Sequence, residues 1–218
     1  MFDDIEAQCT QRITEIREYI DFISPLIPAP PVAPPRYLNT SKGLVFVQLY
    51  GLIEFTVLKT IEKTIACINS ENLTVKQIKP VLLGLALNSS LDSLIDANRS
   101  KWDKRHDLFD KIDRDVTVVI ESHLLPTDGK NIQLKQLESI KNIFCISQPI
   151  FHDIRFTSRI REIVQNRINV AHGNSSASDV GASYTTTDLL NRLTEVSAFC
   201  SYFISVFDDY IESEAYLV

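Results

Sequence analysis

The chain has 218 residues, 44% of them hydrophobic and 23% charged, with a formal charge of −6. This length and composition exclude a disordered chain, which is too polar to offset the entropy of ordering, and fit one domain with a buried core. The negative balance excludes a general affinity for nucleic acid, because such affinity comes from Lys and Arg side chains neutralising phosphates. The opening MFDDIEAQ lacks the basic flank and apolar block of a secretory signal, and Cys9, Cys67, Cys145 and Cys200 stand far apart within apolar helical patterns. The expectation is a cytoplasmic chain whose thiols stay reduced and serve as small core residues.

Phe2, Ile5, Cys9, Ile13, Ile16, Ile20 and Ile23 recur at spacings of three and four, which predicts an amphipathic first helix. It ends at Ser24 and Pro25. Pro25, Pro28, Pro30, Pro31, Pro34 and Pro35 then exclude helix over 25–36 and predict a semi-rigid connector that lets the first helix pack back on the body. Asn39, Thr40 and Ser41 supply capping side chains for KGLVFVQLYGLIEFTVLKTIEKTIACI, which is apolar nearly all round in its first half. Such a helix belongs at the centre of a bundle. Gln48 and Glu54 interrupt its apolar block, 44–58, so a core helix is expected and no membrane span.

Residues 75–97, with Pro80 near their start, read as one bent helix or two short ones, and 102–120 continues with mixed helical character. The run LLPTDGKN at 124–131 has turn chemistry, after which Leu134, Leu137, Ile140, Ile143 and Phe144 restore helical spacing. A helix over 154–172 stops at Gly173, and 173–184 reads as a Gly/Ser-rich loop. Thr187 or Asp188 can cap a final helix whose Leu189, Leu193, Val196, Phe199, Cys200, Phe203 and Phe207 face the core. Period-two alternation and internal repeats are absent. The expected architecture is all-α: an antiparallel helical bundle of five to seven helices, one domain over 1–218.

Positive charge gathers in the helix at 154–172, where Arg155, Arg159, Arg161 and Arg167 stand against the acid Glu162. This segment can face an anion although the whole chain cannot, and Arg159 and Arg161 are the substrate-binding candidates. The same helix holds REIVQNRINVAHG, 161–173, with Arg167 and His172 near its C-terminus. A guanidinium can hold a phosphate bidentately while an imidazole moves a proton near neutral pH, and the helix dipole favours the protonated ring. Five residues along a helix is about 140° of rotation, so the two do not share a face. Other catalytic templates are missing: no phosphate loop, GxSxG, HExxH or cysteine beside an activating base. The cluster Asp103, His106, Asp107, Asp110 and Asp113 is interleaved with Lys and Arg and reads as an ion-paired helix face, not a metal site; His123 and His152 have no evident partners.

The string 161–173 resembles the motif of the HEPN superfamily, an Arg followed after four to six residues by His, here closing in Ala-His-Gly. KGLVFVQLYGLIEFTV at 42–57 is similar to the second helix of HEPN proteins of the RiboL-PSP type, with Glu54 in the position of an acid. The resemblance implies a HEPN-like bundle and an endoribonuclease needing no metal or cofactor, acting as a toxin or defence effector on RNA. Arg167 and His172 would be the catalytic pair. Many relatives carry a polar residue directly after the Arg; here Ile168 stands there, which leaves that part to Asn169 or Asn166. Glu54 would orient the cleft, or would form an internal bridge to a Lys or Arg of a neighbouring helix. The resemblance also implies a homodimer with a composite cleft and an inhibitor protein as partner. Control by tyrosine adenylylation is not expected, since Asn174 stands where relatives so regulated carry Tyr. The alternative is a non-catalytic HEPN-like module that dimerises or binds a partner.

Overall fold

A computed structural model describes residues 1–97, 99–122, 124–127 and 131–218. His123, and positions 128–130 of the turn-rich run at 124–131, lie outside the described residues. Among the described residues the helices are α1 (Asp3–Ile23), α2 (Arg36–Ser70), α3 (Leu83–Ala86), α4 (Asn88–Asp96), α5 (Lys101–Asp113), α6 (Leu134–Ile143), α7 (Phe156–Ala171), α8 (Ala177–Ala182) and α9 (Thr186–Glu212). These are more than the five to seven expected, because α3, α4 and α8 are short pieces. Strands are absent among them; the chain is all-α.

α2 is the central helix, packed on by α1, α7, α8 and α9. It is long and apolar enough to cross a membrane by length and composition, and 56% of that apolar window is buried inside the bundle. Contacts fix the helix directions. Cys9 meets Thr56 and Asp4 pairs with Lys63, so α1 runs against α2. Lys42 meets the Tyr184 carbonyl and Thr56 meets Cys200, so α9 runs along α2. Arg159 pairs with Glu195 and Glu162 with Arg192, so α7 runs against α9. The apolar stripes expected for α1 and α9 are the buried ones, and both feed the same core as α2.

Several local expectations are corrected. α2 begins at Arg36, directly after Pro35, so Asn39, Thr40 and Ser41 lie inside the helix and do not cap it; the proline already breaks the chain there. The helix expected over 102–120 stops at Asp113, because Asp115 takes φ 55° and the β-branched run after it turns extended. Val75 and Val118 then bond to the backbone of Val116 and Leu73, while Lys79 bonds to Tyr216, giving isolated bridges and no sheet. The 75–97 segment resolves into a 3-10 turn at Pro80–Leu82 followed by α3 and α4. Cys9 and Cys200 are core residues, whereas Cys67 and Cys145 are only half-buried.

The supposed loop 173–184 contains α8, whose N-cap Ser176 accepts the Asp179 N–H at 3.1 Å. α8 packs backbone to backbone on α2. A Cβ added at Gly43 would collide with the Ala177 carbonyl, and one at Gly181 with the Asn39 carbonyl. Thr185, not Thr187, caps α9; Asp188 completes a capping box with it from the third helical position.

Candidate functional site

The apolar stripe of α7 decides where its cations point. Phe156, Ile160, Ile163 and Val164 are buried, and the next position on that stripe, four residues after Ile163 and three after Val164, is Arg167. Its side chain is therefore carried inward, half-buried, onto α2. The guanidinium carbon lies 4.8 Å from the centroid of the Tyr50 ring. Nη1 donates to Asn131 Oδ1 at 3.2 Å, and the rest of the fork makes no hydrogen bond among the described residues.

Tyr50 is 1% exposed, yet its hydroxyl is fully used. It accepts the Ile132 N–H at 3.0 Å and donates to Glu54 Oε1 at 3.2 Å, with Asn131 Oδ1 at 3.4 Å as a second acceptor in reach. Burial pushes its pKa up to about 12; the Glu54 carboxylate pushes the same way, against the Ile132 N–H and the Arg167 charge. At neutral pH the phenol keeps its proton and acts as a donor to Glu54. Among the described residues neither a Lys nor an Arg pairs with Glu54. Its partner is the phenol, which couples it to Arg167 at one remove.

α7 ends at Ala171, and His172 is its C-cap, with its N–H bonded to the Ile168 carbonyl at 2.9 Å. Gly173 follows at φ 71°, the left-handed conformation that favours glycine and terminates the helix as expected. The imidazole is exposed and makes no hydrogen bond or ion pair among the described residues. Hydrogen bonds and ring contacts between Arg167 and His172 are likewise absent among them.

The remaining candidates are held elsewhere. Arg159 pairs with Glu162 at 3.3 Å and Glu195 at 3.2 Å, and Arg192 pairs with Glu162 at 3.0 Å and Glu195 at 3.7 Å. This two-cation, two-anion cluster takes up the Arg159 charge, and Glu195 is an acid that the segment 154–172 does not contain. Arg155 is bound to Asp153, whose carboxyl it holds down at about 2. Arg161 stays exposed without an ion pair among the described residues. Among the described residues the unpaired positive charge of α7 thus resides on Arg161 and Arg167.

Asn166 donates to the Tyr184 hydroxyl at 2.9 Å, and Tyr184 in turn packs on Phe46 and gives its carbonyl to the buried Lys42. Asn169 accepts from Gln165 one turn earlier at 2.9 Å, and its carbonyl accepts the Ser175 N–H. Neither amide hydrogen-bonds to the Arg167 or His172 side chain among the described residues. The carboxamide that does is Asn131, and the ring beneath the guanidinium is Tyr50; sequence reasoning missed both. On α5, Asp110 pairs with Arg114 at 2.9 Å, and among the described residues no three His, Cys, Asp or Glu side chains are grouped to hold a metal ion.

A family model described as HEPN_MAE_28990-like HEPN matches residues 1–216 of the chain. No curated protein and no solved structure matches it.

Proposed function

The chain belongs to the HEPN_MAE_28990-like HEPN family, and we propose on that premise that it is a metal-independent endoribonuclease serving as a toxin or defence effector in the cytoplasm. The observation that carries the reading is Arg167: a guanidinium whose partners among the described residues are neutral, five residues from an exposed imidazole. Such a fork can grip two phosphoryl oxygens and stabilise the charge that builds on them. In the proposed reaction the ribose 2′-oxygen attacks the adjacent phosphorus and the bond to the 5′-oxygen breaks. One proton leaves the 2′-hydroxyl and one reaches the departing 5′-oxygen, giving a 2′,3′-cyclic phosphate and a 5′-hydroxyl. His172 moves these protons, a task suited to imidazole at neutral pH.

A second copy of the chain completes the cleft in this reading, because about 140° of helix rotation separates the two groups within one copy. Support comes from the outer stripe of α2. Tyr37, Leu44 and Val47 are 67%, 43% and 37% exposed, and Gly51, one turn further, faces open space. This apolar strip runs beside Tyr50 and Glu54 on the same helix and suits a symmetric helix-to-helix contact. RNA is the substrate, and an inhibitor protein is the natural counterpart of such a toxin.

Purified protein in EDTA should cut RNA to fragments ending in 2′,3′-cyclic phosphate, and Arg167→Ala and His172→Ala should each abolish cutting while keeping the helical fold. Wild-type protein that leaves a broad panel of RNAs intact would sink the proposal. The unlinked side chains of Arg167 and His172 favour one rival, a non-catalytic dimerisation or partner-binding module. That rival predicts an inert wild type and a self-association lost on Leu44→Glu.

A further inference from the structure

We infer that Tyr50 and Asn131 are positioning residues that clamp the Arg167 guanidinium for its phosphate; the catalytic meaning of the clamp rests on the nuclease reading, but its existence does not. An unrestrained Arg side chain samples many rotamers, and misplacement of a charge-stabilising group by about 1 Å can lower a rate about 100-fold. Here the guanidinium has two restraints at right angles in kind. The buried Tyr50 ring supplies a platform 4.8 Å away, and Asn131 Oδ1 takes one Nη1 hydrogen at 3.2 Å.

Tyr50 serves both restraints, the first through its ring and the second through its hydroxyl. By accepting the Ile132 N–H at 3.0 Å, Tyr50 fixes the backbone beside Asn131 and so sets where that carboxamide sits. By accepting the phenolic proton at 3.2 Å, Glu54 turns the oxygen lone pair toward Ile132. The chemistry of the clamp is also apt. A carboxylate at position 131 would hold the guanidinium more strongly but would neutralise it and compete with phosphate, whereas a carboxamide and a ring face fix its direction and leave its charge intact. Arg159 illustrates the opposite arrangement, being bound to two carboxylates.

The test uses Tyr50→Phe, which keeps the platform and deletes the hydroxyl, and Asn131→Ala, a change at a half-buried position that decides the matter if the first variant fails to fold. Single-turnover cleavage should fall about 10- to 100-fold in each, while affinity for an uncleavable 2′-O-methyl RNA stays within about threefold. In an Arg167→Lys background the same changes should lower the residual rate little further, since they act through the guanidinium. The Nη1 NMR signal of Arg167, identified by its loss in Arg167→Lys, should show hindered rotation about the Cζ–Nη1 bond in wild type and averaging in both variants. Unchanged rates together with an unchanged signal, or losses that add in full to Arg167→Lys, overturn the clamp. Should wild type leave RNA intact while its Arg167 signal is held and is released in both variants, the clamp stands and the nuclease reading falls.

Discussion

The two ends of α7 treat their guanidiniums in opposite ways. At its beginning Arg159 is drawn into a cluster with Glu162, Arg192 and Glu195, where each charge has two opposite neighbours. At its close Arg167 meets an aromatic face and a carboxamide and, among the described residues, no carboxylate. One helix thereby separates architecture from chemistry: carboxylates cancel a cation and tie helices together, while neutral donors and acceptors aim a cation without cancelling it. The same helix then leaves His172 beyond its last turn, fixed by its backbone, with no ring partner among the described residues.

Arg167→Ala is expected to reduce RNA cleavage about 1000-fold with a small effect on unfolding; equal losses of activity and stability would erase the distinction between the two ends of α7. His172→Ala should cost about 100-fold in cleavage at least and leave the melting temperature unmoved, because its exposed ring makes no hydrogen bond or ion pair among the described residues; single-turnover assays and thermal melts check both together. The cluster should behave inversely. Arg192→Ala leaves Glu162 and Glu195 short of a cation in a partly buried place, so denaturant unfolding should show a loss of about 2 kcal/mol, with the chemical step within about threefold of wild type. The smallest expected effect is on association: Leu44→Glu should weaken self-association about tenfold, roughly 1.4 kcal/mol, as read by sedimentation across a concentration series. If cleavage per dimer is unchanged in that variant at high concentration, the outer strip of α2 acts on assembly alone.

Much of this was legible in the residues. α1 and α9 announce themselves through apolar positions every three or four residues, and Gly173 marks the end of α7 because few other residues accept its φ. The superfamily was readable from REIVQNRINVAHG and from the second-helix string, and the match over 1–216 agrees. What escaped were contacts between distant stretches. α8 looked like loop because it is six residues of small side chains, and its helicity follows from docking on Gly43 as well as from its Ser176 cap. Glu195 could not be assigned to Arg159 without knowing that α7 and α9 are antiparallel neighbours. Tyr50 left a faint trace, since it stands four residues before Glu54 on one helix face. Asn131 left none, lying 36 positions from Arg167 outside any helix. The inward course of Arg167 was available all along in the progression Ile160, Ile163, Val164, Arg167, which an apolar count skips because the last member is charged.

The backbone contact between Gly43 and Gly181 has a consequence for His172, which sits a few residues upstream of that weld. From the cap of α7 to Ser176 the chain has only Gly173, Asn174 and Ser175 to span, and both moorings are fixed, one by the helix and the other by α8 seated on α2. The imidazole is thus on a short leash: it can swivel about its own bonds but cannot travel. In the proposed nuclease reaction any fitting of the ring to a bound strand would come from the strand or from a neighbouring copy moving to meet it, and a bulky side chain at position 43 would displace the anchor of His172.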